Sequence, residues 1–183
     1  MSCAMLETIE DVVRNYLCTS CGTCAGVCPT GAVRMVETPD GRLVAEIDAD
    51  RCTQCGLCYR VCSGIQYHFD LPDDVDEFFM PRPRRVFLGR ACDPTIHALG
   101  QSGGVATALL TYLLEQKLIS HALTTRMPSD GSLFPQAFFA TSPEELLECV
   151  GSKYCVNPLN SALVRYPADN AGVAVVGLPC HVH

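Results

Sequence analysis

The strongest constraint on this chain is a pair of cysteine runs that lie near its start. Each run holds four cysteines, separated by two, two and three residues. The first run consists of Cys18, Cys21, Cys24 and Cys28, and Pro29 follows it. The second run consists of Cys52, Cys55, Cys58 and Cys62, and Ser63 stands where the first run has its proline.

The spacing of each run matches the bacterial motif that ligates a pair of iron–sulfur clusters. Three cysteines placed two residues apart wrap a tight loop around three irons of a cube, whereas the fourth points away and ligates the other cluster. We therefore predict two 4Fe-4S clusters with exchanged fourth ligands. Cluster one takes Cys18, Cys21, Cys24 and Cys62, and cluster two takes Cys52, Cys55, Cys58 and Cys28.

Disulfides and structural zinc are the alternative interpretations of so many clustered cysteines. Structural zinc usually pairs two Cys-x2-Cys arms across a longer loop, and such arms have no third cysteine. The presence of two complete runs therefore favours iron–sulfur clusters over either alternative.

Composition and charge exclude several classes of protein. The chain has 183 residues, of which 48% are hydrophobic, as expected for a globular protein with a core. Its net charge of -7 argues against a nucleic-acid-binding surface. The start lacks the basic and apolar regions of a secretory signal, and the longest near-apolar run, Val105 to Leu114, is too short to cross a bilayer. We therefore predict a protein of the reducing cytoplasm, with membrane contacts made only through partners.

The sequence divides into a two-cluster ferredoxin-like module of α+β class at 1–65, a linker at 66–85 and an α/β domain at 86–183. In the module, the hydrophobic pattern predicts a helix over Leu6–Leu17, and strands over Ala32–Glu37 and Leu43–Ile47 flank a Pro-Asp-Gly turn. We also expect a short helix after each cysteine loop. The linker combines acidic residues, prolines and arginines, which favours a solvated connector over a docking element.

From Val86 onward the pattern alternates between strands and helices. The predicted strands are Val86–Cys92, His121–Arg126, Gln136–Thr141 and Val173–Gly177, and the predicted helices are Val105–Lys117, Ser142–Val150 and Pro158–Tyr166. The longest helix should carry an apolar face made of Val105, Leu109, Tyr112 and Leu113. The run Val173–Gly177 should be a buried central strand. Because only six residues follow it, we expect a fragment, or a domain that another polypeptide completes.

Three short motifs follow the cysteine runs: Gln-Ser-Gly-Gly-Val at 101–105, Gly-Ser-Lys-Tyr at 151–154 and Val-Gly-Leu-Pro-Cys at 176–180. In this order they resemble the family of coenzyme F420 hydrogenase and dehydrogenase beta subunits, and the resemblance extends from about Cys18 to the last residue. It implies a flavin-binding α/β domain whose FAD exchanges electrons with a reduced deazaflavin coenzyme and with iron–sulfur clusters. It also implies partner subunits of hydrogenase, formate dehydrogenase or reductase type. Leu178 departs from the motif, where a small residue is more usual.

The flavin-binding residues that the resemblance implies are Ser102, Gly103, Gly104, Thr107, Ser152, Lys153, Pro179 and Cys180. The glycine turn precedes a helix, where exposed N–H groups and the helix dipole favour a phosphate such as the pyrophosphate of FAD. The turn is not the G-x-G-x-x-G fingerprint, and a turn needed only for helix packing is the alternative. Lys153 is either a charge partner of flavin or phosphate or an ordinary surface lysine. Cys180 is either part of the flavin pocket or an inert buried thiol.

The remaining candidates have simpler interpretations. His181 and His183 form a His-x-His pair that is usually incidental at a chain end. Cys92, Cys149 and Cys155 lack cluster spacing and are predicted to be structural thiols. The last two form at most an incomplete metal pair, because two ligands do not complete a site.

Two functions remain open from the sequence. In the first, FAD takes a hydride from a deazaflavin or nicotinamide carrier and passes its electrons singly to the two clusters. In the second, the chain is an electron-relay subunit whose α/β part is an interaction domain without flavin. The sequence favours the first function, that of a coenzyme F420-dependent oxidoreductase subunit.

Overall fold

The computed structural model of the protein describes residues 8–65, 85–132, 134–166 and 172–182. The predicted helix start at Leu6, all of the predicted linker except Arg85, and His183 lie outside these ranges. No helix within them is long and apolar enough to cross a membrane.

The chain enters the cysteine-rich part through a short helix, α1, Ile9–Arg14. It begins after Thr8, whose side chain accepts a hydrogen bond from Asp11 N, while the Asp11 side chain accepts one from Thr8 N. This reciprocal cap fixes the start of the helix. The helix is shorter than predicted because the chain leaves helical geometry at its end, where Tyr16 has a φ of 60°.

A two-stranded hairpin forms the scaffold beside this helix. Strands β1, Val33–Glu37, and β2, Leu43–Ile47, pair in antiparallel register, and the prediction of both strands is confirmed. The helix, the hairpin and both cysteine runs share a single core. Its buried members are Ile9, Val12, Cys24, Val33, Ala45 and Cys62. Two thiols of the proposed first cluster therefore lie inside the hydrophobic core of this part.

Each cysteine run contains one turn of helix, α2, Thr23–Gly26, and α3, Leu57–Arg60. The expectation that helices follow the cysteine loops is therefore corrected, because they lie within the runs and include the third cysteine of each. The glycine before each helix makes this possible: Gly22 and Gly56 have φ of 79° and 71°. This left-handed conformation reverses the chain directly after the second cysteine.

The second part of the chain mixes helices and strands, as predicted. Its helices are α4, Pro94–Leu99, α5, Val105–Glu115, α6, Pro143–Glu148, a 3-10 helix, Leu159–Arg165, and α7, Pro179–Val182. Its strands are β3, His121–Arg126, β4, Gln136–Ala140, and β5, Val173–Val175. Ser142 caps α6 by accepting a hydrogen bond from Glu145 N, which confirms the predicted helix start.

The sheet of this part corrects the predicted place of the last strand. Within the described residues its order is β4-β3-β5, with β3 antiparallel to β4 and parallel to β5. The central strand is therefore β3, where Ala122, Leu123 and Thr124 are buried. The strand Val173–Val175 is only half-buried along its length, because it pairs with β3 on one side alone.

The predicted strand Val86–Cys92 is wrong. Residues 85–91 have no regular secondary structure, and the side chains of Val86, Phe87 and Leu88 are exposed. Instead of joining a sheet, the backbone N–H of Ala91 donates to the carbonyl oxygen of Gly103. The segment therefore supports the glycine turn before α5.

The apolar face predicted for α5 is not the face that this helix buries. Val105, Leu109 and Tyr112 are 40%, 59% and 55% exposed. The helix instead turns Leu110 and Leu114 into a core that also contains Ala122, Ala140 and Leu146. Two apolar stripes occur on this helix, and the sequence pattern alone does not decide which one packs against the sheet.

We expect Leu146→Ala to lower the free energy of unfolding by about 2 to 5 kcal/mol, because it empties a buried volume in this core. Leu146 is 2% exposed, whereas Leu109, also helical, is 59% exposed. The matched variant Leu109→Ala should change the free energy of unfolding by less than about 0.5 kcal/mol. Anaerobic denaturation followed by circular dichroism measures both. Equal effects of the two substitutions would contradict the assigned core.

Candidate metal centre and adjoining cavity

Two other thiols of the first cysteine run, Cys18 and Cys21, gather around Cys24, together with one thiol of the second run, Cys62. Burial, and then the neighbouring charges of Cys21, Cys18 and Cys62, raise the pKa of Cys24 to about 12. Cys21, Cys24 and Cys62 are buried, and Cys18 is half-buried. The fold thus brings Cys62 to the first run although it lies 34 positions after Cys28, the last cysteine of that run.

The other four thiols form a second group around a separate cavity. Cys28, Cys52, Cys55 and Cys58 line a cavity of about 440 Å³ beside α1 and the hairpin. The pKa of Cys58 is raised first by burial and then by the charges of Cys28, Cys52 and Cys55. In this group Cys55 is exposed. The second group is therefore more open to solvent than the first.

Hydroxyl groups surround the sulfur of Cys21. The Sγ atom lies 3.3 Å from Thr23 Oγ1 and 3.8 Å from Ser63 Oγ, and Ser63 Oγ lies 3.3 Å from Thr19 Oγ1. Burial opposes ionisation of this thiol, but the hydrogen bonds from Thr23, Thr19 and Ser63 lower its pKa overall. The serine that replaces the expected proline after the second run therefore has a partner in the first run.

Backbone N–H groups donate to two sulfurs of the second group, and the hydroxyl of Thr30 lies 3.7 Å from one of them, Cys28 Sγ. Ala32 N donates to Cys28 Sγ at 3.2 Å, and Gln54 N donates to Cys52 Sγ at 3.4 Å. Eight thiols in two groups, with donors directed at several sulfurs, form a donor set that suits thiolate-ligated clusters. Within the described part of the chain, no three His, Cys, Asp or Glu side chains surround a position for a single metal ion.

A second cavity, which we call the turn cavity, lies beside the glycine turn of the α/β part. It has a volume of about 380 Å³. Of the eight predicted flavin-binding residues, it brings together Ser102, Gly104, Thr107, Ser152 and Lys153. Ser152 N donates to the side chain of Gln101 at 2.5 Å, which ties the two motifs to each other. The turn cavity thus unites motifs that lie some fifty residues apart in sequence.

The other three predicted residues do not line the turn cavity. Gly103 has a φ of 75°, and a Cβ atom there would lie 3.1 Å from Gly89 O, so this glycine shapes the turn instead. Pro179 begins α7. Cys180 is half-buried, and its pKa is raised by burial and by the charge of Cys21, while a hydrogen bond with Thr19 lowers it. Cys180 therefore lies next to the first thiol group.

Lys153 lines the turn cavity, but its ammonium group donates hydrogen bonds to the backbone. Its Nζ donates to the carbonyl oxygens of Cys149, Val150 and Gly151 at 2.5, 2.9 and 2.8 Å. These carbonyls follow the last turn of α6, where a cation is favourable. Burial lowers the pKa of Lys153, and the charge of Cys149 partly opposes that shift. The side chain thus holds the loop that forms one wall of the cavity.

Sequence reasoning missed the contribution of His181, because a histidine near a chain end carries no distinctive pattern. His181 lines the turn cavity. Leu178 N donates to its Nδ1 at 2.9 Å, so the proton must sit on Nε2, which donates to Asn157 O at 3.2 Å. Burial lowers the pKa of His181. The ring is held neutral and fixes the turn before α7.

Asn160 was also missed, and it joins the turn cavity wall to the first thiol group. It is 3% exposed. Its Nδ2 donates to Thr23 Oγ1 at 2.9 Å and to His181 O at 2.8 Å, and its backbone N–H donates to Cys21 O at 3.1 Å. A lone asparagine offers no sequence signal for such a role, since its partners lie 137 and 21 residues away.

The remaining thiols lie apart from the two groups. Cys92 is exposed, and its role as a structural thiol stays a prediction. Cys149 and Cys155 both line the turn cavity. Burial is the main cause that raises the pKa of Cys149 to about 11.

Two family models match this chain, one for each of its two parts. Residues 17–63 match the family model of the 4Fe-4S dicluster domain. Residues 86–164 match that of the N-terminal region of the coenzyme F420 hydrogenase/dehydrogenase beta subunit. The first match covers both cysteine runs, and the second covers the glycine turn and the Gly-Ser-Lys-Tyr loop.

Individual relatives agree with the family models. A coenzyme F420-dependent sulfite reductase of Methanocaldococcus jannaschii is 30% identical over 96% of this chain and 26% of its own length. One subunit of the F420H2 dehydrogenase of Methanosarcina mazei is 28% identical over 98% of this chain and 50% of its own length. The chain therefore spans half or less of these relatives.

A solved F420-reducing NiFe hydrogenase complex from Methanosarcina barkeri has a chain 32% identical to this one, with a TM-score of 0.38 over 40% of this chain and 25% of its own. The family models, rather than this partial structural likeness, carry the assignment. Residues 86–164 therefore belong to the family of the N-terminal region of coenzyme F420 hydrogenase/dehydrogenase beta subunits, and a 4Fe-4S dicluster domain precedes them at residues 17–63.

Proposed function

We propose that this chain is an electron-transfer subunit that moves electrons between reduced coenzyme F420, an FAD in the turn cavity and two 4Fe-4S clusters. The observation that carries the proposal is the contact between the turn cavity and the first thiol group. Asn157 and His181 line the cavity, and Asn160 lies between His181 O and Cys21. A ligand in the cavity would therefore sit on the side of the fold that holds cluster one.

The crossed ligand assignment is part of this proposal. The charges that act on Cys24 come from Cys18, Cys21 and Cys62, and those that act on Cys58 come from Cys28, Cys52 and Cys55. Cys28 also lines the second cavity, together with the three cysteines of the other run. Both observations support a fourth ligand exchanged between the runs.

The turn cavity supports FAD through its position and its polar lining. It opens at the N-terminus of α5, an 11-residue helix whose dipole and N–H groups favour a phosphate. Ser102, Thr107 and Ser152 supply hydroxyl groups beside it. The volume of about 380 Å³ lies within the range of cofactor sites, toward its lower end. A flavin supplies the step between a two-electron donor and one-electron carriers.

The proposed partners follow from the relatives and from the second cluster. Matching relatives are named as subunits of an F420 hydrogenase and of an F420-dependent formate dehydrogenase, and another as an F420-dependent sulfite reductase. Cys55 is exposed, so cluster two would lie near the surface, where a partner approaches. We place the redox partner on that side of the molecule.

The alternative function is an electron relay without flavin, and one observation favours it. Lys153 is the only cation of the Gly-Ser-Lys-Tyr motif, and its ammonium group donates hydrogen bonds to three backbone carbonyls. Its charge is therefore committed to the protein and is not directed at a ligand. In a relay, the turn cavity would serve only to hold the α/β part against the first thiol group.

The first prediction from this proposed function tests the crossed ligands. The protein isolated without oxygen should hold about eight irons, two cubes of four. We expect Cys62→Ala to damage the cluster held by Cys18, Cys21 and Cys24, and the matched variant Cys28→Ala to damage the other cluster. Electron paramagnetic resonance of the two reduced clusters distinguishes the two losses. Disturbance of the second-run cluster by Cys62→Ala would show that the ligands are not exchanged.

The second prediction tests the flavin site. Ser102 is exposed at the mouth of the turn cavity, so Ser102→Glu should leave the fold intact and repel a diphosphate. A repulsion of about 1 kcal/mol between nearby charges weakens flavin retention about fivefold. The uncharged control Ser102→Gln should retain about one flavin per chain, the stoichiometry of a single site. Flavin released by acid is measured by fluorescence. Equal flavin content in both variants would show that FAD does not bind in the turn cavity. Absence of flavin from an iron-loaded wild-type protein would favour the relay function.

The third prediction tests the electron donor on the complete native complex. Under argon, reduced coenzyme F420 should bleach flavin absorbance and then cluster absorbance, whereas NADH and NADPH should have no effect. The order follows because a deazaflavin delivers a hydride and clusters accept single electrons. Reduction by a nicotinamide alone would overturn the donor assignment. Reduction by a low-potential ferredoxin alone would support the relay.

A further inference from the structure

Three hydroxyl groups converge on one proposed cluster ligand, Cys21. Thr23 Oγ1 lies 3.3 Å from the Cys21 sulfur, and Ser63 Oγ lies 3.8 Å from it. Thr19 Oγ1 is 3.3 Å from Ser63 Oγ and completes the group. Cys21 is 8% exposed and Ser63 is 3% exposed, so water has little access to this sulfur. Protein hydroxyls therefore take the place of solvent as its hydrogen-bond donors.

Asn160 determines how the Thr23 hydroxyl is oriented. Its Nδ2 donates to Thr23 Oγ1 at 2.9 Å. Because the threonine oxygen accepts this bond, its own proton is directed to the remaining neighbour, the Cys21 sulfur. The other Nδ2 proton is donated to His181 O at 2.8 Å. These two acceptors fix which end of the Asn160 amide is the nitrogen. Asn160 thus fixes the direction of the O–H bond without touching the sulfur.

Close backbone packing keeps this arrangement rigid. A Cβ atom on Gly22 would lie 2.8 Å from Pro158 O, and one on Gly26 would lie 2.0 Å from Asn160 O. Asn160 N also donates to Cys21 O at 3.1 Å. The first cysteine loop and the start of the 3-10 helix therefore approach as closely as glycine permits.

The second cysteine loop lacks two of these three hydroxyl residues, although the glycine before its helical turn has a similar conformation. In the Cys-Gly-x-Cys segment of each run, Thr23 corresponds to Leu57. After the fourth cysteine of each run, Ser63 corresponds to Pro29. The left-handed glycines before the two helical turns have similar φ, 79° and 71°. The two loops therefore differ at the positions of Thr23 and Ser63, whereas Thr53 corresponds to Thr19 and keeps its hydroxyl group.

We propose that Thr23 and Ser63 raise the reduction potential of the cluster that Cys21 ligates, with Asn160 as the positioning residue that aims the Thr23 hydroxyl. One-electron reduction adds a negative charge to the cluster and its sulfurs, and hydrogen bonds to those sulfurs stabilise the reduced state. The inference depends on Cys21 being a cluster ligand. It depends neither on a flavin nor on which cysteine is the fourth ligand, because Cys21 belongs to cluster one in either case.

The test is a redox titration of the full chain, isolated without oxygen and followed by electron paramagnetic resonance. Thr23→Val removes the hydroxyl and keeps the shape of the side chain. We expect it to lower the equilibrium constant for reduction of cluster one about fivefold, which is the effect of losing one hydrogen bond. At 59 mV per tenfold for one electron, this is about 40 mV. Thr23→Ser should restore the wild-type potential, and Asn160→Ala should shift it in the direction of Thr23→Val. Cluster two should be unchanged in all three variants.

The matched control places a hydroxyl in the other loop. Leu57→Thr should leave cluster one unchanged, because Leu57 lies in the loop of Cys55 and Cys58. In the wild-type protein, transfer to D2O should remove a proton coupling from the pulsed magnetic resonance spectrum of reduced cluster one. That measurement needs no variant.

Three results would each overturn the inference and leave the proposed function standing. These are an unchanged reduction potential of cluster one in Thr23→Val, equal shifts of the potentials of both clusters, and the absence of an exchangeable proton coupling to cluster one. A wild-type chain without iron would overturn it together with the proposed function.

Discussion

The contact between the first cysteine loop and the 3-10 helix Leu159–Arg165 organises the whole chain. It is polar at its centre, where buried Asn160 bonds to both cysteine-loop and α7 atoms, and it is closed by glycines that leave no space for a side chain. A buried N–H group costs free energy unless it donates a hydrogen bond, so the bonds from the Asn160 side-chain nitrogen favour this register of the contact. The register then fixes where the α/β part sits on the iron–sulfur part.

This contact makes the two thiol groups unequal although their sequences are nearly the same. The first group is covered by the α/β part, and Cys21, Cys24 and Cys62 are buried. The second group lines a cavity at the outer side, and Cys55 is exposed. Burial in low dielectric disfavours the added charge of a reduced cluster, whereas hydrogen bonds to sulfur favour it. The hydroxyls around Cys21 thus offset the cost that its burial imposes.

The glycine turn shows how packing and binding share the same residues. Gly103 and Gly104 have φ of 75° and 71°, and a Cβ atom on Gly104 would lie 2.7 Å from Ile96 O. The turn itself therefore requires both glycines. Packing of the glycines places Ser102 and Thr107 beside the turn cavity. A binding site in this position would use the side chains that flank the glycines.

The sequence by itself determined the two cysteine runs, the hairpin and the capped helix α6, because spacing, alternation and capping act over a few residues. It could not reveal that β3 is the central strand or that α5 buries Leu110 and Leu114, since both depend on which partners an apolar surface meets. The cysteine motif predicts that Cys62 lies beside the first run, but it does not predict the hydroxyl groups around Cys21. Asn160 lies 137 residues from Thr23, and only the tertiary fold brings such a pair within hydrogen-bond distance. Local patterns fix local structure, whereas the environment of a ligand atom is set by residues distant in the chain.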